Sequence, residues 1–420
     1  MSGDTPTINR NKLLTLVLIL AGIYMVSQFL RNSVGVIAPD LVRDLSLRPE
    51  ELGILSGAFF LSFAAVQLPL GIAIDRWGPR RVLLASSGLA VLGSILFATA
   101  DTLGELTAAR ILMGLGCSTF YMAPLALYTR WFPPEKFASA VSFQYGLGNI
   151  GTIAATAPLA FAAGMFGWRA SFYAVAAMTL IITVIIAMFV RDTPEAEKPQ
   201  PKSHETLADG LRGVGEVLAR PGAWSVFAIH FVGYGAFVTL LGLWGGPYLT
   251  DIHQMGLEDR GQVLLVLALS QVLAIFGWGP LDRVFATRKY LVIGGAIAQI
   301  IILLVLASTP LPLPWLIGLF IVFGISSAYL PVMTAHGRAL FPDRLVGRGL
   351  TFMNMGVMGG AFALQSLTGF VAGFASGEHV HKGAPLPLEA YEAVFLFLAL
   401  TLAVALAIYA SAPDRPPRSG

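Results

Sequence analysis

The chain has 420 residues, of which 56% are hydrophobic and only 12% charged, with a formal net charge of +3 and a mean hydropathy of +0.73. So few polar groups cannot coat a soluble globule of this length, so the composition predicts a bilayer protein. Its basic residues are scattered over loops and not gathered on one stripe, which excludes a nucleic-acid partner. The single cysteine, Cys117, excludes an intrachain disulfide and lies in an apolar run, where it reads as a small packing residue.

A spanning helix takes roughly 20 predominantly apolar residues. Runs of that kind fall at 13–37, 52–74, 82–100, 106–129, 137–164 and 169–190, and again at 223–249, 261–281, 290–309, 314–340, 349–376 and 390–411. The period-two alternation of a membrane barrel is not present. Arg10 and Lys12 precede the first run, but it is too long for a signal peptide and has no small-residue cleavage site, so it reads as the first span. The stretch 191–222 is rich in proline and charge and predicts a central linker. The expected fold is therefore an all-α integral membrane protein: twelve transmembrane helices in two six-helix bundles, residues 1–190 and 223–420.

With the N-terminus in the cytoplasm, all lysines and arginines except Arg31, Arg43, Arg48, Arg110, Arg169, Arg260 and Lys382 fall on the cytoplasmic side. The positive-inside rule then puts both termini there, with a bacterial inner membrane as the expected location. The two halves echo one another in parallel register. Asp75 and Arg76 match Asp282 and Arg283, and the stretch from Tyr121 to Pro133 matches that from Tyr329 to Pro342 with one residue inserted. Such internal symmetry marks transporter halves related by an axis along the membrane normal, with the substrate site at the midplane between them.

Three motifs carry a family resemblance. G-I-A-I-D-R-W-G-P-R-R, Gly71 to Arg81, resembles the G-x-x-x-D-R-x-G-R-R loop between the second and third helices of the major facilitator superfamily, departing from it at Pro79. R-I-L-M-G-L-G, Arg110 to Gly116, resembles the family's pattern in the fourth helix, and G-W-R-A-S-F, Gly167 to Phe172, its entry to the sixth. The resemblance implies alternating access without a cofactor. It also implies a gating role for Asp75, Arg76, Arg80, Arg81 and Arg110, with Asp75 and Arg76 pairing with charges or helix ends of the neighbouring half in one state; the internal echo extends that role to Asp282 and Arg283.

An ionised side chain near the bilayer centre costs about 2.5 to 3.5 kcal/mol and needs a partner or a wet cavity. Arg31 is such a group, and Tyr24, Gln28 and Arg31 fall on one face of the first helix. The guanidinium fork suits carboxylate or phosphate. Phe29 to Pro39 is also similar to the first helix of organic-anion and organophosphate members of the family, in which an arginine here binds the anionic group. Further polar stripes hold Tyr121 in the fourth span, His230 and Tyr234 in the seventh, Tyr329 and His336 in the tenth, and Asn354, Met358 and Gln365 in the eleventh. Each polar residue also suits an interhelical hydrogen bond. Together they predict a polar-walled cavity bound by Arg31, Gln28, Tyr24, Tyr121, His230, Tyr234, Asn354 and Gln365.

No aspartate or glutamate lies well inside a span, so a carboxylate proton relay is not expected. His230 offers a different proton carrier. Neither a phosphate-binding G-x-x-x-x-G-K-[ST] loop nor a metal-ligand cluster occurs, which argues against ATP drive and against an enzyme. The expected activity is secondary active or facilitative transport of a small organic anion by a monomer, with protons as possible co-substrates. The alternatives are transport of neutral, peptide-like or cationic compounds with Arg31 structural, a membrane enzyme and a membrane sensor. Asp75→Asn is expected to cut transport while membrane insertion stays intact; normal transport kinetics in that variant count against the gate.

Overall fold

The backbone of a chain in lipid must satisfy its own hydrogen bonds, and this one does so as helices. The structure, a computed structural model, describes residues 10–193, 213, 215–342, 345–377 and 381–415. The first half holds α1 (Arg10–Leu45), α2 (Pro49–Ala65 continued as Gln67–Trp77), α3 (Pro79–Thr99), α4 (Leu103–Cys117 and Thr119–Trp131), α5 (Pro134–Gly148, Ile150–Ala154 and Ala157–Phe166) and α6 (Trp168–Phe189). The second holds α7 (Ala223–Thr239, Leu240–Trp244 and Gly245–Asp251), α8 (Leu257–Val284), α9 (Lys289–Leu306), α10 (Leu313–Ser327 and Leu330–Ala339), α11 (Val346–Ser376) and α12 (Leu388–Ala410). Most of the expected linker, 194–212 with residue 214, lies outside the described residues.

Ten of these helices are long and apolar enough to cross a bilayer unaided, and α2 and α5 qualify when their pieces, bent by 54° and 42°, are joined. Pro69 and Pro158 stand at the starts of the second pieces, where a missing N–H and a ring clash break the ladder. The matched stretches both break ahead of a proline: α4 at Ser118, with Pro124 inside the second piece, and α10 at Ala328 and Tyr329, with Pro331 in the first turn of its second piece. In α7 the G-G-P sequence, Gly245 to Pro247, reads as a break but is not one. A π turn over Leu240–Trp244 widens the ladder ahead of Pro247 and the helix continues.

Across the halves, α1 packs on α7, α2 on α11 and α5 on α8. The contacts concentrate on the side away from the chain termini, where backbones touch through glycine. A Cβ at Gly35 would collide with the Leu241 carbonyl and one at Gly246 with the Gly35 carbonyl, while Gly53 of α2 lies against Gly369 of α11. Without a hydrophobic drive between helices in lipid, such close approach is what holds them together.

On the termini side each half is closed by a carboxylate that follows its last helix. Asp192 accepts a hydrogen bond from the Arg80 amide at 2.8 Å, at the start of α3, and the Arg80 side chain donates to the Ala187 carbonyl. Asp414 accepts from the Lys289 amide at 3.2 Å, the Arg288 amide at 3.4 Å and the Thr287 hydroxyl at 2.7 Å, at the start of α9. Both carboxylates satisfy amides that a helix start leaves open and complement its dipole. Partial burial pushes the Asp414 carboxyl up, but the bonds from Thr287 and the two amides outweigh this and hold it below its ordinary value. Its contribution is thus fully present above the ordinary carboxylate range and is lost as pH falls through the depressed value. Asp192→Ala and Asp414→Ala are each expected to cost about 1 kcal/mol of stability; an unchanged melting temperature in detergent refutes the capping role.

Candidate functional site

Arg31 of α1 is 6% exposed, and its guanidinium stacks over the Phe63 ring of α2, 4.6 Å from the centroid. Its buried Nε has no hydrogen-bond partner, and among the described residues no carboxylate pairs with it. Tyrosines gather around it. The Tyr24 ring lies 5.2 Å from that of Tyr121 on α4 and 6.3 Å from that of Tyr145 on α5. Tyr24 and Tyr145 are each within Coulombic reach of Arg31 and of Tyr234 on α7. One guanidinium and four phenols, drawn from both halves, thus converge near the middle of the bundle.

The neighbouring amides are fixed by a chain of bonds. Asn149 Nδ2 donates to the Tyr145 carbonyl at 2.8 Å, which leaves its Oδ1 to accept from Gln28 Nε2 at 3.4 Å. Asn32 Nδ2 donates to the Gln28 carbonyl at 2.9 Å and reaches Thr152 Oγ1 at 3.5 Å. These bonds tie α1 to α5. They leave Gln28 Oε1 and Asn32 Oδ1 buried without a donor.

Other residues expected at the site are placed differently. Gln365 donates to the Val238 carbonyl at 3.2 Å, joining α11 to α7. His230 is 1% exposed, shares its Nδ1 with the Val226 carbonyl at 2.8 Å, and lies with its ring near Gly337 of α10. Asn354 and Tyr234 are half-buried. Arg110 is 0% exposed and braces three helices: it donates to the Leu30 carbonyl at 2.6 Å and the Ser56 carbonyl at 3.2 Å, and stacks on Phe59 at 4.8 Å. Among the gating residues Asp75, Arg76, Arg81 and Arg283 are exposed and Arg80 is half-buried. Arg76 lines a largely apolar cleft of about 400 Å³ with Trp77, Leu70 and Leu115. Asp282 is buried and pairs with Arg288 at 3.1 Å.

Two functional candidates were not singled out from sequence. Tyr145 shares a helical stripe with Asn149 and Thr152, a signal that was available. Arg260, at the start of α8, is 4% exposed; it donates to the Val36 carbonyl at 2.9 Å and to Thr250 Oγ1 at 3.2 Å, and forms an ion pair with Asp40. It therefore joins the halves on the side away from the termini. Nothing local in sequence announces a pair separated by so much chain.

Comparison with known proteins agrees with this architecture. A bacterial homologue of the human lysosomal transporter Spinster superposes with a TM-score of 0.80 at 18% identity, covering 96% of this chain and 97% of that one. The probable sulfoacetate transporter SauU of Cupriavidus necator is 24% identical over 64% of this chain and 63% of its own length. The Hexuronate transporter of Bacillus subtilis is 26% identical over 60% of this chain and 59% of its own. The chain thus spans about three fifths of the length of these curated relatives. The description Major Facilitator Superfamily matches residues 20–281 and 246–420, and with this coverage the chain belongs to that family of membrane transporters.

Proposed function

We propose that this protein carries a small organic anion across a bacterial inner membrane by alternating access, with Arg31 as the seat of the anionic group. The observation that carries the reading is the guanidinium itself, buried on Phe63 with no carboxylate paired to it among the described residues. Leaving a charge unpaired at low dielectric is costly, and a bound anion offsets that cost. The resemblance to transporters named for sulfoacetate and hexuronate, both anions, supports the same class.

In this reading the termini face the cytoplasm and the opposite, sealed side faces out. The seal consists of the glycine contacts and the Arg260 link to Asp40 and Val36. The Asp75–Arg76 and Asp282–Arg283 pairs, in the last turns of α2 and α8, form the cytoplasmic latches, which engage when the outer seal opens. The halves then rock about the central site, exposing Arg31 to each side in turn.

Two measurements test this. Arg31→Ala and Arg31→Lys are expected to reduce anion uptake into proteoliposomes about ten-fold or more, because lysine cannot reproduce the two-pronged contact; undiminished uptake overturns the anion seat. Removing one partner of a buried ion pair costs about 3–5 kcal/mol, so Arg260→Ala is expected to loosen the outer seal. With Cys117→Ser as background and Val36→Cys as reporter, an impermeant maleimide should label from the outer side several-fold faster when Arg260→Ala is added. Equal labelling rates remove Arg260 from the gate.

A further inference from the structure

We infer that the substrate is a monoanionic hydroxy acid: one negative group for Arg31, and at least one hydroxyl to donate to the acceptors left open on the same helix. This rests on the anion-seat reading above and narrows it.

The charge argument comes from the residues that could serve as a second cation. Arg110 gives its two terminal nitrogens to the Leu30 and Ser56 carbonyls. His336 is 0% exposed, with Nδ1 on the Tyr409 hydroxyl at 2.6 Å and Nε2 on the Pro413 carbonyl at 2.9 Å. In the second half every described lysine and arginine lies at or beyond a helix end, and Arg260 is committed to the seal. A dianion would neutralise Arg31 and leave its second charge without a cationic donor free to meet it: Arg110 keeps its charge but directs its terminal nitrogens to the Leu30 and Ser56 carbonyls, and His230 gives Nδ1 to the Val226 carbonyl, which leaves the unpartnered Nε2 of the neutral ring as an acceptor. Phenol hydroxyls solvate such a charge less well than water does.

The hydroxyl argument comes from orphaned acceptors. Because Asn149 Nδ2 is spent on the Tyr145 carbonyl, its Oδ1 requires the Nε2 edge of Gln28, and the free atom of Gln28 is therefore the oxygen. Asn32 likewise spends Nδ2 on the Gln28 carbonyl and keeps Oδ1 open. Both oxygens lie within one helical turn of Arg31, and both need a donor. A second carboxylate offers none, nor does an alkyl chain; a hydroxyl does. These atoms are covered by neighbouring side chains in this structure, so a substrate must part them on entry. The tyrosines then supply ring faces for the carbon skeleton and hydroxyls for its remaining oxygens.

The test uses the full chain in lipid nanodiscs at neutral pH and two matched triads. Gluconate is compared with glucarate, which replaces its terminal CH₂OH by a carboxylate, and with hexanoate, which lacks its hydroxyls. Isethionate is compared with sulfoacetate and with ethanesulfonate on the same two grounds. In at least one triad the hydroxylated monoanion is expected to bind about ten-fold more tightly than both partners, since a site built to pair a hydroxyl rejects its absence. Gln28→Leu should shrink its advantage over the deoxy partner while Arg31-dependent binding persists. If in each triad that binds the dianion or the deoxy anion binds as tightly, or Gln28→Leu leaves the preference intact, the inference falls and the anion seat stands. If none of the six binds, or Arg31→Gln binds them as well as the wild type does, the seat falls and takes the inference with it.

Discussion

A guanidinium held inside a bilayer-spanning helix, stacked on an aromatic ring and left without a carboxylate among the described residues, sets the terms for the rest of this structure. Everything around Arg31 reduces the cost of keeping it there without cancelling its charge. Phe63 offers a π face, the four tyrosines bring polar edges, and the absence of acidic groups from the span interiors keeps the potential positive. Arg110 reinforces this from one residue away, since its bond to the Leu30 carbonyl fixes the backbone immediately before Arg31 while adding a second positive charge to the first half. The bundle is therefore polarised: the first half is electropositive at its centre, and the second contributes mainly neutral walls.

The two halves share a frame but not a function. Their frame is duplicated down to small devices, with proline-associated breaks in α4 and α10 and a carboxylate after α6 and α12 that caps the start of α3 and α9. The interior side chains are not duplicated. Arg31 and Arg110 have no arginine counterparts in the middle of α7 or α10, where His230 and His336 are instead drawn into the packing of the second half. Repetition is thus visible in the scaffold, while the buried polar side chains differ between the halves.

Much of the fold was legible because the bilayer imposes one length and one polarity on every span, so hydropathy alone located the membrane-length helices, including the two that are bent. Arg31, Tyr24 and Tyr121 were legible for a related reason, being polar residues where polarity is expensive. What escaped was decided by partners that sequence does not display. Whether Arg110, Gln365 or His230 is available depends on which carbonyl lies within reach, and each has found one. Asp192 and Asp414 read as ordinary loop charge because their roles depend on helices more than a hundred residues away. Arg260 read as an outer-face cation for the same reason.

The π turn in α7 has a consequence for how this protein tolerates change. A π turn holds one residue more than an α turn, so all that follows is rotated by about 100° relative to an uninterrupted helix. Gly246, whose backbone meets Gly35, and Thr250, which accepts from Arg260, both lie beyond it. Their facing depends on that one additional residue. Closing that turn to a regular α turn at full chain length would keep the composition and hydropathy of the span, yet it would turn a side chain into the place where two backbones touch; deleting one residue between Leu240 and Trp244 would instead absorb the bulge and preserve the facing. The closure of the bundle is in this sense counted out along the chain, and a helix that looks interchangeable by hydrophobicity has a register that is not.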